Sequence, residues 1–281
     1  MTRVALATAS WLPDLDEDGP HLISALAAEG VHVTIAIWDD PTVDWDAFDL
    51  VVIHTTWDYI DQREQFIAWA RSVPRLRNSA EVVAWNTDKT YLRELEAVGI
   101  PIVPTTWLEP GDAFALPDYA FVVKPTVSAG ARDTAAYEAG DNQAAAHVAS
   151  IHQQQRTVMV QPYIGEVDTQ GETSVLAFDG VISHAARKSA ILRTGAGVRN
   201  DINSRAFITP AEATADQLAL VRLVLAAVPE EVLYARVDLL PGPVLIELEL
   251  TEPSLFLRHA PGSAERFARA IARAAAARLP S

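Results

Sequence analysis

Apolar runs of four to eight residues alternate with amphipathic stretches along the first third of the chain. Residues 4–7 read as a short buried strand, 21–29 have helical spacing stopped by Gly30, and 31–38 and 50–54 read as two further strands. An amphipathic helix over 61–73 completes a small β-α-β layer. Its first turn is acidic (Asp14, Asp16, Glu17, Asp18) and has no Gly-x-Gly-x-x-Gly pattern, so no dinucleotide is expected there. A helix over 88–98, stopped by Gly99 and Pro101, leads into a strand-rich region: 121–124, 158–161, 174–178, 181–187, 233–240 and 244–250. The last two strands are joined by Pro241-Gly242-Pro243. Alternation puts Arg236 with Asp238, and Glu247 with Glu249, on common faces, while Val237, Leu239, Ile246, Leu248 and Leu250 point the other way. Residues 189–205, polar and glycine-bearing, read as a long loop.

Composition narrows the function. The chain has 281 residues, 49% of them hydrophobic, enough for one large domain or two small ones. A net charge of −15 makes nucleic acid and anionic membrane surfaces poor partners, and an anionic ligand would need a local cationic pocket. With no cysteine there is no disulfide framework, thiolate metal site or thiol nucleophile. The N-terminal apolar stretch runs into acids too soon for a signal sequence, so a cytoplasmic location is expected. Homo-oligomerisation is left open.

Candidate chemistry follows the lysines. There are only three, against nineteen arginines: Lys89, Lys124 and Lys188. A bias towards arginine strips lysine from surfaces and spares it where a compact point charge is needed. Lys124 ends an apolar strand and precedes a small-residue turn with Ser128, Gly130 and Arg132, whose N–H groups can approach phosphate oxygens; the alternative is an ordinary hairpin turn. Gln161-Pro162-Tyr163-Ile164 ends a strand in a turn where backbone groups can bond a flat heterocycle. Glu166 and Glu172 offer carboxylates for ribose hydroxyls, or are solvated acids. In a hairpin the faces of Asp238, Glu247 and Glu249 meet, and such carboxylates repel unless cations sit between them. An oxygen-only donor set suits Mg2+, which takes the rest of its shell from water and phosphates.

In this order the residues resemble an ATP-grasp ligase of the glutathione-synthetase-like type, over nearly the whole chain: the 88–101 segment, Val123-Lys124-Pro125, Gln161 to Ile164, Gly171-Glu172, and Asp238 with Glu247 and Glu249. The resemblance implies an α/β fold with α+β elements, an N-terminal Rossmann-like pre-ATP-grasp domain over 1–85, and an ATP-grasp domain over 86–281. The latter would divide into a nucleotide-clamping subdomain (about 115–163) and a metal-binding one (about 164–281). It further implies that Lys89 and Lys124 contact ATP phosphates, the backbone of Tyr163 and Ile164 reads adenine, Glu172 holds ribose, and the three carboxylates bind two Mg2+ ions. Many relatives end the metal motif Glu-x-Asn, whereas this chain has Glu247-Leu248-Glu249.

His54-Thr55-Thr56-Trp57-Asp58-Tyr59, Ser183 to Lys188 and Ile246 to Phe256 are similar to the branch containing the O-ureidoserine cyclo-ligase of cycloserine biosynthesis, which usually has Arg at the His54 position. The implied activity is ADP-forming carboxylate–amine ligation through an acyl phosphate on a small amino-acid-like substrate, as ring closure or as intermolecular ligation. A regulatory ATP-binding module is the alternative from another class. Arg236 is the candidate for stabilising the acyl phosphate, with Lys188 and Arg193 as further catalytic cations and Arg199 for a substrate carboxylate. Trp57, Asp58 and Tyr59 follow a strand end, where ligand loops gather, with Asp58 facing a substrate ammonium. In the competing expectation the two aromatic residues pack an interface and Asp58 caps the next helix. His184 is expected to be structural.

Overall fold

The N-terminal apolar runs pair in parallel. The computed structural model describes residues 2–199 and 207–277. Strands β1 (Thr2–Thr8), β2 (Val31–Ile37), β3 (Leu50–Thr55) and β4 (Leu76–Arg77) form a sheet in the order β2-β1-β3-β4. Its crossovers carry α1 (Gly19–Ala28) and α2 (Arg63–Ser72). Pro20 sits in the first turn of α1, where its missing N–H removes no helical bond. The helix expected over 61–73 is shorter, because Tyr59–Asp61 forms a separate 3-10 turn. At the carboxyl end of β3 the register slips: Ala7 pairs with Ile53 but Thr8 with Thr55, leaving His54 as a bulge.

Helices α3 (Ala80–Asn86) and α4 (Tyr91–Ala97) connect this layer to the rest. The Ser79 hydroxyl caps α3 by accepting from the Val82 N–H at 3.1 Å. The helix expected from residue 88 starts later because Asp88 accepts from the Thr90 N–H and the Lys89 N–H donates to the Thr126 carbonyl at 2.9 Å. A second, antiparallel sheet follows: β5 (Thr106–Leu108), β6 (Phe121–Pro125), β7 (Ala135–Tyr137) and, after α5 (Gln143–Gln153), β8 (Val158–Pro162), in the order β5-β8-β6-β7. The short α6 (Val167–Gln170) leads to the third sheet. This contains β9 (Glu172–Phe178), β10 (Val181–Lys188), β11 (Ile208–Ala211) and, beyond α7 (Ala215–Ala226), β12 (Tyr234–Leu240) and β13 (Val244–Glu249), in the order β11-β10-β9-β12-β13. Helix α8 (Ser263–Ala276) ends the described chain.

Burial joins the layers. Val4, Leu6, Leu50 and Val52 of the first sheet share a core with Leu176, Phe178 and Tyr234 of the third, with Phe267 of α8 stacked on Phe178 at 4.6 Å. Each such fully buried side chain is worth about 1.5–3 kcal/mol of transfer free energy, so sheets one and three are held as one body. The opposite face of the third sheet packs α4 and α7 through Leu92, Leu95, Leu220 and Val224. The loop expected at 189–205 lies partly outside the described residues. Its first part is docked, since Gly195 donates to Ala136 and Arg199 to Thr134 along β7. Among the described residues no helix is long and apolar enough to cross a membrane.

Candidate active site

The second and third sheets, with the loops that follow β1 and β3, line a cavity of about 400 Å3. Its floor is the β12–β13 hairpin. Arg236 stands opposite Glu249 and Asp238 opposite Glu247, so the expected common face forms, and oxygens of Asp238, Glu247 and Glu249 lie within 4.8 Å of one another. Cations divide these charges between them. The Arg236 guanidinium donates to both oxygens of the fully buried Asp238 at 3.0 Å and closes on Glu249. Lys188 reaches Asp238 at 2.7 Å and Glu172 at 2.8 Å, and Lys89 reaches Glu247 at 3.0 Å. Burial raises the cost of ionising Asp238, yet Arg236 and Lys188 outweigh it and hold the carboxyl well below its usual range. The same balance, with Lys89 and Lys124 as the cations, lowers Glu247. Glu249 goes the other way: burial, opposed by Arg236 and reinforced by Glu247 and Asp238, pushes it up to about 7. Burial disfavours the Lys188 ammonium, but Asp238 and Glu172 more than offset this and raise it.

Side chains from the connecting helices fix the outer edge of β13. Both backbone groups of Leu248 bond the Tyr91 hydroxyl at 2.8 Å, and Asn86 accepts from the Leu250 N–H at 2.7 Å while donating to the Leu248 carbonyl at 2.8 Å. An edge strand whose polar groups are satisfied in this way cannot shift register cheaply, so Glu247 and Glu249 stay aimed at the cavity.

The other lysines face the floor. The Lys89 ammonium donates to the Ser128 carbonyl at 2.7 Å, and the Ser128 hydroxyl donates to the Arg132 carbonyl at 2.6 Å, closing the small-residue turn over the cavity. Gly130 and Ala131 both have left-handed backbone there, with φ of 59° and 60°. The Lys124 ammonium has no hydrogen bond or ion pair among the described residues, and burial, partly offset by Glu247, pushes it down to about 8. The Gln161 amide is held by Thr105 at 2.8 Å. Tyr163 departs from expectation: its N–H is already bonded to the Ala120 carbonyl at 2.8 Å. What it can offer a heterocycle is its carbonyl, next to the Ile164 N–H, neither bonded among the described residues. Gly171, at φ +68°, lets β9 approach β10 so that Glu172 pairs with Lys188; a Cβ there would lie 2.4 Å from the Lys188 carbonyl oxygen.

The expected substrate loop is only partly in place. Trp57 and Tyr59 line the cavity, but Asp58 is not among the described lining residues. Its carboxylate accepts from Trp38 Nε1 at 2.9 Å, a bond that holds it towards the first layer, and it makes no helix cap. Arg193 is exposed, and Arg199 donates to the Ile191 carbonyl at 3.0 Å. Neither is among the described residues lining the cavity, so the expected loop cations are not brought to the floor. His184 bonds the Leu255 carbonyl at 2.9 Å and is pushed by burial down to about 4, in keeping with a structural role. Trp11, Asp18 and Glu252 line the cavity without having been expected. Asp18 accepts from the N–H groups of Leu257 and Arg258, at 2.8 and 3.0 Å, tying the acidic turn after β1 to the chain beyond β13.

Known proteins share this architecture. Residues 4–78 match the family model described as the N-terminal domain of the D-cycloserine synthetase DcsG. Over 97% of its length the chain is 35% identical to the cycloserine biosynthesis protein DcsG of Streptomyces lavendulae, 98% of which is covered. The crystal structure of D-cycloserine synthetase DcsG superposes with a TM-score of 0.88 at 33% identity, covering 97% of this chain and 99% of that one. D-alanine–D-alanine ligase from Bacillus anthracis, in complex with ATP, gives 0.64 at 14% identity with 98% of both chains covered, a likeness of fold.

Proposed function

The chain belongs to the D-cycloserine synthetase family of ATP-grasp ligases, and from that premise we propose that it is an ADP-forming carboxylate–amine ligase of cycloserine biosynthesis that closes the ring of O-ureidoserine. The observation that carries this reading is the cavity itself, where all three lysines of the chain surround the Asp238, Glu247 and Glu249 carboxylates. In this reading residues 1–85 form the substrate-side domain, and residues 86–281 clamp the nucleotide between the second and third sheets.

Each part has a chemical task. Lys124, buried without an ion pair among the described residues, and Lys89 neutralise ATP phosphates under the Ser128 turn. The Tyr163 carbonyl and Ile164 N–H complement the donor and acceptor on the adenine edge, with Gln161 supporting the adjoining strand end. Glu172 accepts from ribose hydroxyls. The trio's clustered, charged oxygens fit Mg2+, and two ions are in keeping with three carboxylates plus phosphate oxygens. Bound magnesium would neutralise charge on the phosphate oxygens.

A carboxylate is a poor electrophile until it is phosphorylated. The substrate carboxylate takes the γ-phosphoryl group of ATP, ADP is the leaving group, and Arg236 and Lys188 meet the charge that develops on the acyl phosphate. A substrate nitrogen then attacks the carbonyl and phosphate departs. Within one molecule that attack gains from effective concentrations that reach about 10^5 M and above in preoriented systems.

The test is to quantify ADP, free phosphate and any phosphorylated product with and without O-ureidoserine. A ligase yields ADP and phosphate in equal amounts only when the substrate is present. A phosphorylated product that retains its phosphate would make the protein a kinase, and no ADP at all would reduce it to a nucleotide-binding module.

A further inference from the structure

We infer that Glu252, with the Tyr59 hydroxyl and the rings of Trp57 and Trp11, forms the site that receives the ammonium group of the substrate. This rests on the proposal that the substrate is an amino-acid derivative.

The distribution of cations around the cavity points there. Four acids on the third-sheet wall already have a partner: Glu172 and Asp238 have Lys188 at 2.8 and 2.7 Å, Glu247 has Lys89 at 3.0 Å, and Glu249 has Arg236. Glu252 lines the same cavity and has no lysine or arginine in ion-pair contact among the described residues. The group that Tyr59, lining the same cavity, presents to it is a neutral hydroxyl. Burial and the negative charge of Glu249, opposed from a distance by Lys89 and reinforced by Glu247, push its carboxyl up to about 8. A carboxylate set in such a wall gains most from a cation that arrives with the ligand.

The surroundings suit an ammonium in particular. Trp57 Nε1 donates to the backbone carbonyl of Glu252 at 3.0 Å, which ties the indole to this residue's backbone. The Trp11 ring lies 6.1 Å from that of Trp57, and Tyr59 is 4% exposed. Aromatic faces attract alkylammonium groups while offering nothing to an anion, so this end of the cavity favours the cationic part of a zwitterion. Glu252 follows Glu249 by three positions, in the bend just beyond the end of β13. Arg236 donates to the backbone carbonyl of Ser254, two residues beyond Glu252, at 3.2 Å, so a guanidinium for the substrate carboxylate lies near this end of the wall. Asp58, the other acid of the substrate loop, is committed to Trp38.

The experiment is calorimetric titration of the full chain loaded with Mg2+ and ADP, using two ligand pairs that differ only in the ammonium: O-ureidoserine against 3-(ureidooxy)propanoate, and serine against 3-hydroxypropanoate. The wild type should prefer the ammonium-bearing member of a pair by roughly tenfold to hundredfold, the range expected of one charge-assisted contact. Glu252→Gln should bind both members alike, with ADP affinity unchanged. Retention of the preference in Glu252→Gln, or no preference in the wild type for either pair, overturns the site. Should Glu252→Gln fail to fold, Glu252→Asp draws the carboxylate back by one methylene and should reduce the preference; an undiminished preference overturns the site equally. Failure of O-ureidoserine to elicit ADP release removes the ring-closure reading and leaves the serine pair to decide this one.

Discussion

Arg236 and Glu249 face each other across the β12–β13 hairpin, and the guanidinium that closes on Glu249 also holds both oxygens of Asp238. One arginine thus serves two carboxylates of a trio that gathers three negative charges on one sheet face. The arrangement leaves Glu249 the least well compensated of the three, since it alone has a raised pKa.

That imbalance predicts a pH dependence of stability. Between about 4.5 and 7 the unfolded chain has released the Glu249 proton while the folded chain still holds it, so the ligand-free protein loses stability as pH rises through this window. Glu252 extends the loss to about 8. Glu249→Gln should remove the first part of the slope. Its melting temperature should exceed the wild type's at pH 8 by about 2–6 °C, from a relief on the order of 1–2 kcal/mol, and differ little at pH 5. Thermal unfolding across pH 5–8 without Mg2+ or nucleotide measures it; parallel slopes in both proteins would contradict the assignment.

Lys124 predicts a selective loss. Its ammonium is buried without an ion pair among the described residues, so Lys124→Ala should weaken ATP binding roughly tenfold to hundredfold and leave adenosine binding nearly unchanged. In the wild type, ATP affinity should fall as pH rises past about 8, because the ligand-free lysine is then losing its proton. Equal losses for ATP and adenosine in fluorescence or calorimetric titration would argue against phosphate contact.

Gly171 predicts a backbone effect on the site. Alanine there would combine a left-handed φ with a Cβ 2.4 Å from the Lys188 carbonyl oxygen, so β9 and β10 must separate where Glu172 pairs with Lys188. Gly171→Ala should cost on the order of 2–3 kcal/mol in chemical denaturation and raise the KM for ATP. Unchanged stability would show that the strands accommodate the methyl group.

Much of this was legible in the chain. Strand alternation has a strict period of two, so the common face of Arg236, Asp238, Glu247 and Glu249 followed from their spacing once a hairpin was assumed, and the pairing bears it out. The scarcity of lysine picked out three residues that do meet around one cavity. Side-chain direction in loops has no such period. The bond from Asp58 to Trp38, twenty residues upstream on the other side of a crossover, was not legible for that reason. Glu252 was missed for the same reason, as its setting depends on Tyr59 and Trp57. Asn86 carries no motif that announces it, and its role shows only when Leu248 and Leu250 are seen to need partners. The capping pair Thr214 and Gln217 was a readable signal for α7 that the hydrophobic pattern alone did not bring out.

The central claim, that ATP activates a substrate carboxylate as an acyl phosphate in this cavity, is tested most directly by oxygen transfer. O-ureidoserine labelled with 18O in both carboxylate oxygens is turned over with unlabelled ATP, and the released phosphate is analysed by mass spectrometry. Displacement of an acyl phosphate by nitrogen breaks the carbon–oxygen bond, so each phosphate released should carry one 18O atom from the substrate. Phosphate released without label while the substrate is consumed would contradict the account.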